Sequence, residues 1–150
     1  MKLRNEELAA SFGAVFLRLT RLLDRRMARE GASLARTRVL LLIDRQGEVK
    51  AADIADLFGL APRTVTDTLD GMERQGLISR HPDKKDRRIK RIVLTDAGRR
   101  ALAATEPVRR ELINQVLGTL SDGEGQELSR LLKKLEASVA EVEQSDHLTT

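Results

Sequence analysis

The fold of this chain is decided by residues 51–95, which read AADIADLFGLAPRTVTDTLDGMERQGLISRHPDKKDRRIKRIVLT. Apolar residues at three-and-four spacing predict a short helix around residues 51–58 and a second helix over about 62–75. Gly59 turns the chain between the two helices. The residues that follow predict a hairpin over 77–94, because two short β-branched or apolar segments flank the charged turn PDKKDRR. Helix, glycine turn, helix and hairpin together are the order of a winged helix-turn-helix.

The second helix of this unit is the candidate base-reading element. In a helix-turn-helix the second helix enters the major groove, which presents a distinct pattern of hydrogen-bonding groups for each base pair. Val65, Leu69 and Met72 have core spacing and therefore define the inward side of the helix. The predicted outward, DNA-contacting side carries Arg63, Thr64, Thr66 and Asp67.

Two residues of that outward side suggest different chemistry. Arg63 has the geometry to donate two hydrogen bonds to guanine, which makes it the main candidate for base readout. Asp67 is unusual on a DNA-facing surface, because phosphates repel a carboxylate. It either accepts a hydrogen bond from a cytosine amino group or pairs with Arg63 one turn earlier and orients it. The sequence leaves both roles open, and an ordinary solvated helix surface is the alternative for the whole face.

Positive charge is concentrated in the hairpin region. Residues 80–100 hold nine Lys or Arg against three Asp, a local net charge of +6, whereas the whole chain of 150 residues has a net charge of +4. A short basic block of this kind indicates contact with a polyanion. We predict a wing that follows the DNA backbone and inserts one arginine into the minor groove, with Asp86 pairing with Arg88 to hold it extended. A purely turn-forming Asp86 is the alternative. The predicted wing contacts are Lys84, Lys85, Asp86, Arg87 and Arg88.

The remaining residues predict a helical body. Leu8, Phe12 and Phe16 belong to an apolar face that predicts a long first helix, which ends near Gly31. Ser33 and Gly47 bound a second helix, and a fifth begins after Thr95. A sixth begins at a capping box of Ser121 and Glu124 and carries an apolar stripe. Together with the apolar stripe of the first helix, it gives more apolar surface than one small winged helix-turn-helix unit needs for its own core. This excess favours a dimer face over simple core.

The whole chain resembles the MarR family of bacterial transcription regulators. The family pattern has a recognition helix ending L-x-x-x-GL-x-x-R, a wing close to DP-x-DRR, then V-x-LT and A-G. Here these read MERQGLISR, HPDKKDRR and IVLTDAG. The resemblance implies a mainly α fold with a two-stranded wing and a dimer built from the first and last two helices. It also implies that Asp86 and Arg88 form the family's wing ion pair.

We expect one chain, 1–150, in which 34–95 form the DNA-binding head and 5–30 and 96–143 form the dimerisation body. The expected function is a homodimeric regulator, by default a repressor, that binds double-stranded DNA at a pseudo-palindromic operator. Two departures from the family stand out. Ala61 occupies the place of a serine-like helix cap, which costs about 1 kcal/mol locally. Asp67 stands where a basic or polar residue is frequent.

A small aromatic or acidic effector that releases DNA is a further implication of the resemblance. Phe12 and Phe16 are weak candidates to line its pocket, although plain core packing is the favoured interpretation for both. Arg38 is available to a carboxylate, as are Arg18 and Arg21.

Several other classes of protein are disfavoured. The sequence has no Cys and only two His, so we expect no metal site and no cofactor. No nucleophile–base pair or phosphate-binding glycine loop indicates an enzyme. No apolar stretch approaches the roughly 20 residues of a membrane helix, and no signal peptide is evident, so we expect a cytoplasmic protein without a membrane partner. The alternative function is a winged-helix module that binds protein without specific DNA binding.

Overall fold

The computed structural model describes residues 4–147, which are mainly helical with one two-stranded antiparallel sheet. The described residues divide into two compact units, 4–110 and 111–147. The elements, in chain order, are α1 Asn5–Arg29, α2 Leu34–Gln46, α3 Ala51–Phe58, α4 Pro62–Arg74, β1 Ile78–Pro82, β2 Lys90–Leu94, α5 Asp96–Leu117 and α6 Asp122–His147. The predicted succession of six helices and one hairpin is confirmed.

Local sequence signals explain where the helices begin and end. The Ser33 side chain accepts a hydrogen bond from the N–H of Arg36, which caps α2 as predicted. Gly59 ends α3 in the left-handed conformation with a φ of 61°, a region that glycine enters at little cost. The helix α4 has no side-chain cap, because Ala61 holds the cap position and Pro62 begins the helix.

The core of the first unit lies under the helix-turn-helix and the hairpin. The hairpin pairs Ile78 with Leu94 and Arg80 with Ile92. Val49, before α3, joins the hairpin by exchanging two backbone hydrogen bonds with Ile92, at 3.1 and 2.8 Å. Helices and hairpin thus share one core, which contains Val39, Leu40, Leu42, Ile43, Val49, Ile54, Val65, Leu69, Met72, Ile78, Ile92, Leu94 and Leu102.

The junction between β2 and α5 is tightly fixed. Thr95 Oγ1 accepts a hydrogen bond from the N–H of Gly98 at 3.0 Å and donates one to the carbonyl of Gly76 at 2.5 Å. A Cβ on Gly98 would lie 2.0 Å from the backbone oxygen of Leu77, closer than any real contact. The LTDAG segment therefore holds the end of the wing against the end of α4, and only glycine fits at residue 98.

The N-terminal half of α1 corrects one expectation. Phe12 and Phe16 were expected to be core residues, but they are 56% and 51% exposed in the single chain. Only Leu23 and Met27 of α1 are buried, so the contact of α1 with the head is confined to its C-terminal half. Apolar periodicity identifies the apolar side of a helix, but it does not show whether the same chain covers that side.

The second unit contains the end of α5 and all of α6, joined by a short turn over residues 118–121. Ser121 and Glu124 form the predicted capping box at the start of α6, with the N–H of Ser121 donating to Glu124 Oε2 at 2.8 Å. The apolar stripe of α6 is 39–58% exposed in the single chain and consists of Leu128, Leu131, Leu132, Leu135, Val139 and Val142.

Candidate nucleic-acid interface

The exposed side of α4 carries the predicted base-reading residues. Val65, Leu69 and Met72 are at most 2% exposed and anchor the inward side of the helix, as the spacing predicts. This anchoring leaves the opposite side, near the N-terminus of α4, open to solvent. The four predicted contacts there are all exposed: Arg63, Thr64, Thr66 and Asp67.

These side chains are poorly constrained by the protein. Thr66 Oγ1 donates to the carbonyl of Pro62 at 3.0 Å, which leaves its oxygen lone pairs available to a further donor. Within residues 4–147, Arg63 and Asp67 form no ion pair with each other. The orienting role considered for Asp67 is therefore not seen in the free protein. Contact with a cytosine amino group stays a prediction.

The C-terminal half of α4 is tied to the wing. Arg80 on β1 donates to Asp70 Oδ1 at 2.6 Å, and its Nε lies 3.7 Å from Glu73 Oε2. Arg80 is partly buried, with 23% of its side chain exposed. A partly buried, charge-assisted bond of this kind links two elements more firmly than an exposed ion pair does. It fixes the base of the wing relative to the recognition helix.

The predicted ion pair at the wing tip is present. Arg88 donates from Nε to Asp86 Oδ1 and from Nη2 to Asp86 Oδ2, both at 3.0 Å, and its backbone N–H also donates to Oδ1 at 3.0 Å. These bonds from Arg88 lower the pKa of Asp86 below its ordinary value of 3.8. The Arg88 side chain is nevertheless 91% exposed. It is thus both held in place and accessible.

Other basic residues surround this pair. Lys84, Lys85 and Arg87 are exposed in the loop between β1 and β2. Exposed cations of this kind suit contacts with phosphates, which add affinity without reading base sequence. The loop therefore presents a cationic surface around one oriented guanidinium.

Asp83 was not among the predicted site residues, yet it organises the wing. It is 7% exposed and accepts hydrogen bonds at Oδ1 from the N–H groups of Lys85 and Asp86, at 2.7 and 3.1 Å. Its Oδ2 accepts from Arg91 Nε at 2.5 Å. The N–H of Lys85, the guanidinium of Arg91 and the N–H of Asp86, in that order, lower the pKa of Asp83 to about 2. The one sequence signal was an Asp in a turn, a residue that often bonds backbone two positions on.

The predicted effector residues are dispersed over different surroundings. Phe12 and Phe16 lie on the exposed half of α1, and Arg18 and Arg21 are exposed on the same helix. Arg38 on α2 instead stacks on the ring of Phe58, with its Cζ 4.8 Å from the ring centroid. It borders a cavity of about 120 Å³ lined by Ala35, Arg38, Val39, Ile54, Phe58, Leu60, Val65, Thr68 and Leu69.

No helix in residues 4–147 has the length and apolar character needed to cross a bilayer.

Comparison with known proteins gives consistent results. Residues 33–90 match the model of the MarR family. The chain is 26% identical over 142 residues to the HTH-type transcriptional repressor MdtR of Bacillus subtilis (strain 168), which covers 95% of this chain and 91% of MdtR. Among solved structures, the transcriptional regulator BldR from Sulfolobus solfataricus has a TM-score of 0.81 at 23% identity, covering 92% of this chain and 99% of BldR. The S. aureus MepR–DNA complex has a TM-score of 0.78 at 23% identity, covering 88% of this chain and 97% of MepR.

Proposed function

The chain belongs to the MarR family, and from that premise we propose that it is a homodimeric transcription regulator that binds a specific double-stranded DNA site. The observation that carries the proposal is the wing. An oriented, 91% exposed Arg88 lies in a loop of further cations, next to a recognition helix whose outward residues are exposed. A module that binds protein has no need for this arrangement.

Base readout falls to the N-terminal part of α4. The inward anchoring of α4 presents Arg63 and the hydroxyls of Thr64 and Thr66 to the major groove. Arg63 bonds guanine through two parallel N–H groups, and the threonines contact phosphates, bases or thymine methyl groups. Asp67 accepts a hydrogen bond from a cytosine amino group at one position.

The wing supplies the second contact. Arg88 enters the minor groove, where narrow A·T-rich segments concentrate negative potential. Lys84, Lys85 and Arg87 bond phosphates on either side of it. Asp86 limits the number of conformations that the guanidinium must give up on binding, which lowers the entropic cost of inserting it.

A dimer accounts for the apolar faces that the single chain leaves open. Phe12, Phe16 and Val15 on α1 are 51–64% exposed, and the stripe of α6 is 39–58% exposed. Exposed apolar side chains that follow one another along a helix face are typical of an interaction site, and each of the two helices carries such a face. A two-fold dimer reads a pseudo-palindrome whose half-sites lie about 10 bp apart, centre to centre.

Repression is the simplest mode of regulation for such a dimer, since covering promoter DNA blocks polymerase without further contacts. The similar protein MdtR is named a transcriptional repressor, which supports this mode. We place the protein in the cytoplasm, where its DNA target is found. It acts by binding DNA and not by catalysis.

Release of DNA by a small acidic or aromatic effector is the least constrained part of the proposal. Phe12, Phe16, Arg18 and Arg21 share one helix, whereas Arg38 lies on α2 beside Phe58. A carboxylate would pair with one of these arginines, and the surrounding apolar atoms would contact its ring.

The test is selection of bound sites from random duplex DNA by the full chain, followed by measurement of stoichiometry and salt dependence on the selected duplex. We expect a two-fold site with half-sites one helical turn apart, bound by two chains. The control is the double variant Arg63→Ala/Arg88→Ala, which should enrich nothing. Lack of enrichment by the wild type, with only weak and salt-labile binding, would favour the protein-interaction alternative.

A further inference from the structure

We propose that Asp83 is a positioning residue for DNA binding: without touching DNA, it sets the shape of the wing loop and thereby the position of the Arg88 guanidinium. The inference rests on the proposed function and adds to it. Asp83 is 7% exposed in a loop whose lysines and arginines are exposed to solvent. A carboxylate this well covered is not itself available to a groove or a phosphate.

The loop that carries the cations is closed at its base by backbone bonds. The N–H of Asp83 donates to the carbonyl of Ile89 at 2.8 Å, and the N–H of Ile89 donates to the carbonyl of Asp86 at 3.0 Å. These bonds fix the two ends of the loop. They leave the N–H groups of Lys85 and Asp86, in its middle, to another acceptor.

The Asp83 carboxylate is that acceptor. Its Oδ1 accepts hydrogen bonds from the N–H groups of Lys85 and Asp86, at 2.7 and 3.1 Å. Asp86 in turn holds Arg88 by three hydrogen bonds. The backbone of the residue that orients the guanidinium is therefore itself positioned by Asp83.

The other oxygen of Asp83 connects the loop to the core. Oδ2 accepts from Arg91 Nε at 2.5 Å, and Arg91 Nη1 lies 3.7 Å from Glu48 Oε1. Ile92, next to Arg91, and Val49, next to Glu48, are each 1% exposed and bonded to one another. A continuous path of contacts thus runs from the buried core through Arg91 and Asp83 to the tip of the wing.

The sign of the effect of neutralising Asp83 separates this role from simple electrostatics. Removing a negative charge close to a polyanion strengthens binding when the residue is only a solvated acid. Removing a positioning carboxylate weakens binding, because the loop then samples shapes that misplace Arg88. We expect Asp83→Asn to bind the duplex selected by the wild type about tenfold more weakly, and Asp83→Ala more weakly still.

The decisive experiment is a double-mutant cycle with Arg88, measured as the dissociation constant for that duplex. In an Arg88→Ala background, Asp83→Asn should change affinity by no more than about twofold, because the residue through which it acts is gone. The matched control is Asp56→Asn, which removes the same charge from an exposed position on α3 and should not weaken binding. Circular dichroism melts establish that each variant is folded, and Asp83→Asn, which keeps an acceptor oxygen, carries the test if Asp83→Ala does not fold.

Two results would overturn the inference: unchanged or tighter binding by Asp83→Asn, or an equal loss with and without Arg88. Either would leave the proposed function intact, provided that the wild type binds the selected duplex and Arg63→Ala alters its preference. Failure of the wild type to select any DNA would instead contradict the proposed function itself.

Discussion

The two regions that we propose to face DNA differ in how firmly their side chains are held. At the wing tip, Arg88 donates three hydrogen bonds to the carboxylate of Asp86. The backbone of the same loop donates two hydrogen bonds to the carboxylate of Asp83. On α4, Arg63 and Asp67 are exposed and form no ion pair in the described part of the chain. The wing is organised in the free protein, whereas these polar side chains of α4 stay available for the base contacts that we propose for them.

This difference follows from what each region must do. A wing contact with the minor groove and backbone is similar on many sequences, so fixing its geometry in advance lowers the cost of binding to all of them. Base readout requires donors and acceptors that are satisfied by one sequence and left unpaired by others. The comparison predicts that the wing determines the affinity for DNA of any sequence and that α4 determines which base sequence is preferred.

The largest expected effect is loss of the held guanidinium. Arg88→Ala should weaken binding to the selected duplex roughly thirtyfold, since a charge-assisted contact is lost. The loss should be similar on any site with an A·T-rich flank. Fluorescence anisotropy titrations would measure it, with Arg29→Ala, an exposed arginine at the end of α1 and outside the basic block, as the matched control. An Arg88→Ala variant that binds like wild type would show that the minor-groove assignment is wrong.

The next largest effect is expected on the preference of the protein for one DNA sequence over another. Arg63→Ala should lose about tenfold or more of the discrimination at one base pair in each half-site, because a bidentate contact with guanine is removed. Affinity for random duplex DNA should change much less. Repeating the site selection with the variant would measure this, and an unchanged enriched sequence would move base readout to other residues of α4.

Much of this architecture could be predicted from residue types and spacing alone. Gly59 and Pro62 mark the turn between α3 and α4, and the spacing of Val65 and Leu69 gives the buried side of α4. The pairing of Asp86 with Arg88 was also predictable, because the two residues lie close in sequence within one charged turn. In each case the signal is local, so that a few neighbouring residues decide the structure.

The features that were missed depend on contacts between distant residues. The bonds from Arg80 to Asp70 and from Arg91 to Asp83 depend on how the hairpin is placed beside α4 and on its register. The stacking of Arg38 on Phe58 joins residues 20 positions apart. Residue spacing does not give that placement, so these pairs become evident only in the folded chain.

The acid titration of the wing tests how firmly it is held. Because the folded pKa of Asp83, about 2, lies below its ordinary value of 3.8, ionised Asp83 stabilises the wing above pH about 4. That contribution is lost as the pH falls towards about 2. NMR should show the Lys85 and Asp86 amides titrating with a midpoint near 2, while circular dichroism reports on global unfolding. A midpoint near 3.8 would mean that the loop is solvated and not prepared in advance.

The smallest effect is expected at the wing lysines that we propose to contact phosphates and not bases. Lys84 is exposed, and its proposed contact is one phosphate, so Lys84→Ala should weaken binding by a similar factor on all sequences. The slope of log affinity against log salt should fall by about one, since one fewer counterion is released. Lys133→Ala, an exposed lysine of α6, is the matched control and should leave the slope unchanged. A sequence-dependent loss for Lys84→Ala would mean that the wing reads bases as well as backbone, and the contrast between the two regions would then be one of degree.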